Sequence, residues 1–181
     1  LSTIQVLGNL PKKIIKEDFS PSPLNAYGLT HLLSENICNY YNNQTETKCI
    51  NARLSNSYGS PIFIENNCWW LVINDLCRKA IENNEIRLKS DGSPLRDFIH
   101  GNDVVSAIQV LIETKENFDE NIINIASGTT CSILELAHNV SIKYKEKYDK
   151  EIPVVLNDNT VSESLPTFQS KHLMLDNFNY Y

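Results

Sequence analysis

The sequence predicts an α/β fold built on a parallel sheet, and three observations carry that reading. Short apolar strand patterns alternate with longer helical ones along the chain. No internal repeat and no Gly/Ser-rich or Pro-rich linker breaks the alternation. The chain has 181 residues, 41% hydrophobic and 21% charged, enough apolar surface for an ordinary core, and it is neither collagen-like, low-complexity nor wholly disordered.

Taken in order, Ser2 to Gly8 reads as the tail of an apolar strand. A helix begins near Asn25, where Ala26, Leu29, Leu33, Ile37 and Tyr40 or Tyr41 recur at steps of three and four and make one face apolar. Cys49 to Leu54 gives a second strand, closed by Ser55, Asn56 and the turn Tyr58-Gly59-Ser60-Pro61. Trp69, Val72, Ile73, Leu76 and Ala80 repeat the helical pattern, with one of Trp69 and Trp70 expected in the core. Val104, Ala107, Ile108, Leu111 and Ile112 mark a third helix, capped by Asn102 or Asp103. Ile122 to Ala126 is a third strand that runs into Ser127-Gly128. Ser132 with Glu135 fits a capping box for a helix carrying Ile133, Leu136, Ala137 and Val140. After Ile152 the pattern weakens, and Leu156 to Thr167 is polar and Ser-rich.

Charge and composition exclude several functions. Lys+Arg 16 against Asp+Glu 22 gives a net charge of −6, and no basic stripe exists to neutralise a phosphate backbone, so nucleic acid is not expected as a partner. The densest basic segment, Lys143 to Lys150, interleaves Glu146 and Asp149 and reads as a solvated helix face. The longest apolar run, Cys68 to Ile73, falls far short of the ~20 residues of a membrane span, so the expectation is a cytoplasmic protein with no membrane partner. The five cysteines, Cys38, Cys49, Cys68, Cys77 and Cys131, are odd in number and form no CxxC pair, and the four histidines are scattered. Neither a disulfide framework nor a metal site has the spacing it needs, and reduced, mostly buried thiols are expected.

Tyr27 and His31 are four residues apart on the first helix, so their side chains leave one face and can meet. A phenol, with an ordinary pKa near ~10, serves as acid or base at neutral pH only beside a group that stabilises its anion. Alone, such a pair is more often a surface or packing feature. Its setting changes the weight: Ser2-Thr3-Ile4-Gln5-Val6-Leu7-Gly8 precedes it, and Arg53-Leu54-Ser55-Asn56-Ser57-Tyr58-Gly59 follows. Then come Asp91-Gly92-Ser93-Pro94-Leu95-Arg96-Asp97-Phe98-Ile99-His100 with Asp103, and Asn124-Ile125-Ala126-Ser127-Gly128. In this order, from Ser2 to about Ala137, the motifs resemble the extended short-chain dehydrogenase/reductases, specifically the NAD-dependent epimerase/dehydratase family acting on nucleotide sugars.

The resemblance implies a partial Rossmann-like parallel sheet with helices, spanning residues 1–62 and 98–130, and a small substrate-binding lobe from 63–97 and 131–181. It implies NAD as cofactor, with NADP equally open, a nucleotide-diphosphate sugar as substrate, and a homodimer formed through helices that include the one bearing Tyr27. Tyr27 matches the catalytic acid/base, Thr3 the hydroxyl that holds the sugar oxygen, and Ser55 the residue whose main chain lies near the nicotinamide. Asn56 matches a contact to the substrate diphosphate, and Arg96 of the Arg-Asp-Phe-Ile run a guanidinium that grips phosphate oxygens in pairs. Each residue also has a plain structural reading: Thr3 as a strand end, Asn56 and Ser57 as a turn, Arg96 with Asp97 as a surface ion pair. Asp97, Phe98 and Ile99 are expected as scaffold, and His100 and Asp103 as loop and cap residues.

Three departures refine the expectation. The family's Tyr-x-x-x-Lys carries His31 at its last position, which puts His31 in the cofactor-side catalytic role or else marks a non-catalytic nucleotide-sugar binding relative. Sugar 4,6-dehydratases place Asp-Glu after the Thr, whereas Ile4 and Gln5 stand here, which favours epimerisation or carbonyl reduction over dehydration. No G-x-x-G-x-x-G or G-x-G-x-x-G runs through the six glycines, so the main dinucleotide cradle is missing from the chain. Together with the missing initial Met, this leads us to expect a C-terminal portion of a longer enzyme, with roughly one hundred residues before Leu1, negligible NAD affinity for the isolated portion and an exposed sheet edge.

Overall fold

Residues 1–10, 13–114, 121–156 and 168–170 are described by the computed structural model. Its elements are β1 (Ser2–Thr3), a 3-10 turn (Ile4–Leu7), β2 (Lys13–Ile15), α1 (Ala26–Gln44), β3 (Asn51–Leu54), β4 (Asn56–Tyr58), α2 (Val72–Asn83) and β5 (Ile86–Arg87). There follow β6 (Leu95–His100), α3 (Gly101–Glu113), β7 (Ile122–Ile125), β8 (Thr130–Ser132), α4 (Ile133–Tyr148), β9 (Val154–Val155) and β10 (Phe168–Ser170). The α/β expectation holds. Most of the polar stretch after Leu156, together with His172, lies outside the described residues.

Two units divide the described residues, one from 1–57, 97–129 and β10, the other from 58–96 and 130–156. The first is organised by a parallel sheet of order β1-β3-β7. Its register sets Ser2 opposite Arg53 and Thr3 opposite Leu54, and Arg53 opposite Asn124 and Leu54 opposite Ile125. Ala52, Ile123 and Ile125 meet Ile99 and Val104 in one core, against which Ala107, Ile108 and Leu111 of α3 pack. Val6, Leu7, Leu10 and Ile15 form another with Ile4, Phe19 and Leu32. Full burial of each such side chain is worth about 1.5–3 kcal/mol, so these clusters fix the ends of the strands. β2 and β10 pair in parallel, Lys13 to Phe168.

In the second unit α2 and α4 enclose Leu76, Ala80, Ile86, Leu88, Ala137 and Ile152, with Ile133, Leu136 and Val140 packed around them. β5 and β9 pair in parallel beside them. The capping box at α4 is present: Ser132 Oγ accepts from Glu135 N at 3.0 Å, and Glu135 Oε2 accepts from Ser132 N at 2.7 Å. The bonds that Ser132 N and, at 3.0 Å, Ser132 Oγ donate to Glu135 Oε2 hold this carboxyl below its ordinary value.

Four local expectations change. The strand at Ser2 ends after Thr3, because the Thr3 hydroxyl accepts from Gln5 N and starts a 3-10 turn. The apolar stripe of α1 does not face the core. Gly28 and Glu35 are its buried residues, whereas Leu29, Leu33, Ile37 and Tyr40 are all about half exposed or more. A buried ion pair and a glycine contact, described below, dock the helix by its polar side. α2 starts only at Val72, so neither tryptophan fills the core: Trp69 donates Nε1–H to Ile64 O, and Trp70 is 71% exposed. The α3 cap is His100, whose Nδ1 accepts from Asn102 N at 3.2 Å, rather than Asn102 or Asp103, and Ile112 points to solvent.

Candidate functional site

The carboxyl ends of β1, β3 and β7 lie side by side, and the residues just beyond the ends of a parallel sheet are where an α/β fold places its ligands. β1 delivers Thr3, which is buried. The turn that follows closes at Gly8, whose φ of +68° and a Cβ position only 1.9 Å from Ser22 O admit no other residue.

α1 is tied to that same turn. Asn25 caps it, with Oδ1 accepting from Gly28 N at 2.7 Å and Nδ2 donating to Gln5 Oε1 at 3.0 Å. Gly28 lets the backbones touch: a Cβ there would stand 2.6 Å from Gln5 O. The first turn of the helix therefore rests on the residues immediately after Thr3. Tyr27 lies on it, 54% exposed, its ring edge to face with His31 at 4.6 Å between centroids. Thr3, Tyr27 and His31 thus occupy adjoining elements.

Ser55 and Asn56 follow β3, directly after the residue paired with Thr3. Ser55 N donates to Ile125 O at 2.9 Å and prolongs the ladder to β7. Asp97, 4% exposed, collects the strand ends: its Oδ1 accepts from Ser55 Oγ at 2.6 Å and from Ser127 N at 3.0 Å. Its Oδ2 accepts from Ser127 Oγ at 2.9 Å. Asn56 Nδ2 donates to Asp97 O at 2.9 Å. The scaffold expectation for Asp97 acquires a specific content, since it fixes Ser55 and Asn56 together.

Arg96 belongs to the second unit. Its Nη1 donates to Leu95 O at 2.8 Å, and burial pushes its guanidinium below the ordinary value. A half-desolvated cation of this kind gains from an anionic partner.

Reading the sequence assigned no role to Glu35, which is 2% exposed. Arg53 binds it through both arms of its fork, Nε to Oε1 at 2.9 Å and Nη2 to Oε2 at 2.7 Å. Ser2 Oγ donates to the same Oε1 at 2.6 Å. Burial raises the Glu35 pKa, but the hydrogen bonds from Arg53 and Ser2 and the charges of Arg53 and His31 together outweigh it, leaving the carboxyl below its ordinary value. The signal was an arginine inside an apolar strand: a cation in that setting needs a carboxylate nearby.

Among the described residues no group of three His, Cys, Asp or Glu side chains could hold a metal ion. No helix among them is long and apolar enough to cross a membrane. The five thiols are free, but none is fully buried and Cys77 is exposed, against the expectation of mostly buried thiols.

A profile of the NAD dependent epimerase/dehydratase family matches residues 1–126. The chain is 32% identical over 124 residues to a dTDP-L-rhamnose 4-epimerase of Burkholderia thailandensis, an alignment covering 68% of this chain and 34% of that protein. It is 26% identical over 187 residues to UDP-glucose 4-epimerase 4 of Oryza sativa subsp. japonica, covering 93% of this chain and 49% of that one. In structure it resembles a UDP-N-acetylglucosamine 4-epimerase from Methanobrevibacter ruminantium solved with UDP-N-acetylmuramic acid. The TM-score is 0.79 at 21% identity, over 98% of this chain and 55% of that one. A UDP-glucuronic acid 4-epimerase from Bacillus cereus, solved with UDP-glucuronic acid and NAD, gives 0.71 at 23% identity, over 94% and 51%. The chain therefore spans about half the length, or less, of these relatives.

Proposed function

The chain belongs to the NAD dependent epimerase/dehydratase family, and from that membership we propose that it carries the acid–base and substrate-binding portion of a nucleotide-sugar epimerase or reductase. The observation that carries this reading is the docking of the Tyr27 turn of α1 on the turn after Thr3, through Asn25, Gln5 and Gly28.

Bound NAD, with NADP as the alternative, supplies hydride acceptance and return at a sugar carbon. Tyr27 Oη takes the proton from the sugar hydroxyl as that carbon is oxidised and gives it back on reduction. Thr3 holds the same oxygen by its hydroxyl, keeping it within hydrogen-bond reach of the phenol. His31, in ring contact with Tyr27, fills the place of the family lysine on the cofactor side, with the Ser55 main chain beside it. Asn56 and Arg96 hold the diphosphate, Arg96 as a fixed charge whose burial favours an anion. The fit to NAD is partial: these residues suit the nicotinamide end, and the six glycines offer no pyrophosphate turn.

The second unit then serves as the substrate lobe, and the protein works in the cytoplasm as a homodimer. The exposed stripe of Leu29, Leu33, Ile37 and Tyr40 on α1 supports that dimer. Ile4 and Gln5, neither able to shuttle a proton, favour epimerisation or reduction over loss of water. His31 in place of lysine favours a second reading, a nucleotide-sugar binding relative without turnover. Incubating the full-length protein with NAD or NADPH and a panel of nucleotide sugars, followed by product analysis, separates the two. An altered sugar supports the enzyme, and tight binding with no altered sugar supports the second reading.

A further inference from the structure

A buried carboxylate, Glu35, links three elements that carry a proposed site residue or, for β3, lead directly into one. It sits on α1 one turn beyond His31 and two turns beyond Tyr27. Ser2, which bonds it at 2.6 Å, is the neighbour of Thr3. Arg53, which binds it bidentately, lies two residues before Ser55 and three before Asn56. The ion pair is almost wholly buried, at 1% and 3% side-chain exposure. Arg53 Nη1 also donates to Glu17 O at 3.4 Å, and Glu17 Oε1 accepts from Asn124 N at 3.0 Å on β7. One connected polar network therefore runs from β1 through α1 and β3 to β7.

An ion pair this deep is a poor source of net stability, because desolvation of both charges offsets most of their attraction. The apolar residues of α1 do not explain its placement either, since most of them face away from the core. Leu32 alone of the helix's apolar residues packs on the Val6 and Leu7 cluster, and directional bonds add what that contact lacks: a bidentate fork and a hydroxyl bond set the helix in one register and one rotation.

We propose that Glu35 is a positioning residue, which with Ser2 and Arg53 sets the spacing between the Thr3 hydroxyl and the Tyr27 phenol. The inference rests on the functional reading above for the roles of Thr3 and Tyr27, but the spacing itself is a structural quantity. A misplacement of about 1 Å in such a site costs on the order of a hundredfold in rate, so the network acts on turnover more than on binding.

The test uses the full-length protein with three variants. Glu35→Leu/Arg53→Met removes both charges while keeping volume, Arg53→Lys keeps the charge but loses the fork, and Ser2→Ala removes the hydroxyl alone. The double variant is expected to melt close to the wild type, with kcat lowered at least about tenfold and KM within about threefold. Arg53→Lys is expected to lose kcat too, which charge alone would not produce. If the double variant does not fold, Ser2→Ala decides, with the same split between kcat and KM at smaller amplitude. A folded double variant, or Ser2→Ala where that one decides, with wild-type kcat overturns the proposal. If the wild type converts no nucleotide sugar, the functional reading fails by itself, and crystal structures of wild type and Ser2→Ala decide the positioning claim. A Thr3 to Tyr27 oxygen separation changed by more than about 0.5 Å supports it, and an unchanged one overturns it.

Discussion

Tyr27 and His31 meet edge to face, 4.6 Å between ring centroids, on the first turns of α1. Tyr27 is exposed and His31 half-buried, so a ligand can reach the pair without unfolding the helix. Tyr27→Phe removes only the hydroxyl, and a general acid–base contribution is worth about 10²–10⁴-fold. The expected outcome in the full-length protein is a fall in kcat of that order with an unchanged melting temperature. His31→Ala should also slow turnover. A His31→Ala rate equal to wild type would remove His31 from the machinery.

The Glu35 carboxylate should make stability depend on acid. Its folded pKa is lowered from the ordinary glutamate value of 4.5, so its charged form is favoured by folding. That contribution is fully present above pH 4.5 and is lost as pH falls through the lower folded value. Urea melts from pH 7 down to pH 3 should lose more stability for wild type than for Glu35→Leu/Arg53→Met. Parallel pH profiles for the two would show that Glu35 does not couple to folding.

Gly28→Ala sets two effects against each other. In a helix interior alanine is favoured over glycine by up to about 1 kcal/mol. At this position the new Cβ would meet Gln5 O at 2.6 Å and Gln5 C at 3.1 Å, both backbone atoms. Relief requires α1 to move off the turn, and overpacking of this kind costs about 1–3 kcal/mol. Chemical denaturation should therefore show net destabilisation, together with reduced turnover. A stabilised Gly28→Ala protein would mean that α1 does not lie this close to Gln5.

Asp97→Ala would strand the Ser127 amide, free the Ser55 hydroxyl and leave the Ser127 hydroxyl only its Thr129 main-chain partners. Leaving a buried donor unpaired costs about 1–3 kcal/mol. We expect a loss of stability in that range and a higher KM for the cofactor, because the Ser55 hydroxyl loses its anchor while the bond from Asn56 to the Asp97 main-chain O remains. A cofactor KM unchanged within error would separate the Ser55 anchor from cofactor binding.

Much of the fold was legible because it rests on periodicity. Leu76 and Ala80, Val104 and Ala107, and Ile133 and Ala137 all pack where their spacing placed them. The capping box at Ser132 was readable from two residue types three apart. What escaped was set by contacts distant in sequence. The spacing of Leu29, Leu33 and Ile37 marks a face but not what covers it, and α1 turned that face outward because Glu35 and Gly28 dock the other. The β1 strand stopped early because the Gln5 amide donates to the Thr3 hydroxyl. Among the proposed site residues, Thr3, Tyr27, Ser55 and Asn56 could be named from motif order, whereas the connections of Asp97 and Glu35 show only once strands β1, β3 and β7 are side by side.

The most direct measurement is product analysis by NMR after the full-length protein is incubated with NAD or NADPH and UDP-, dTDP- and GDP-hexoses, including 4-keto sugars. The expected result is a nucleotide sugar inverted at one stereocentre, or reduced at a carbonyl, with the conversion slowed at least about a hundredfold in Tyr27→Phe. A 4-keto-6-deoxy product, or conversion by Tyr27→Phe at the wild-type rate, would contradict it.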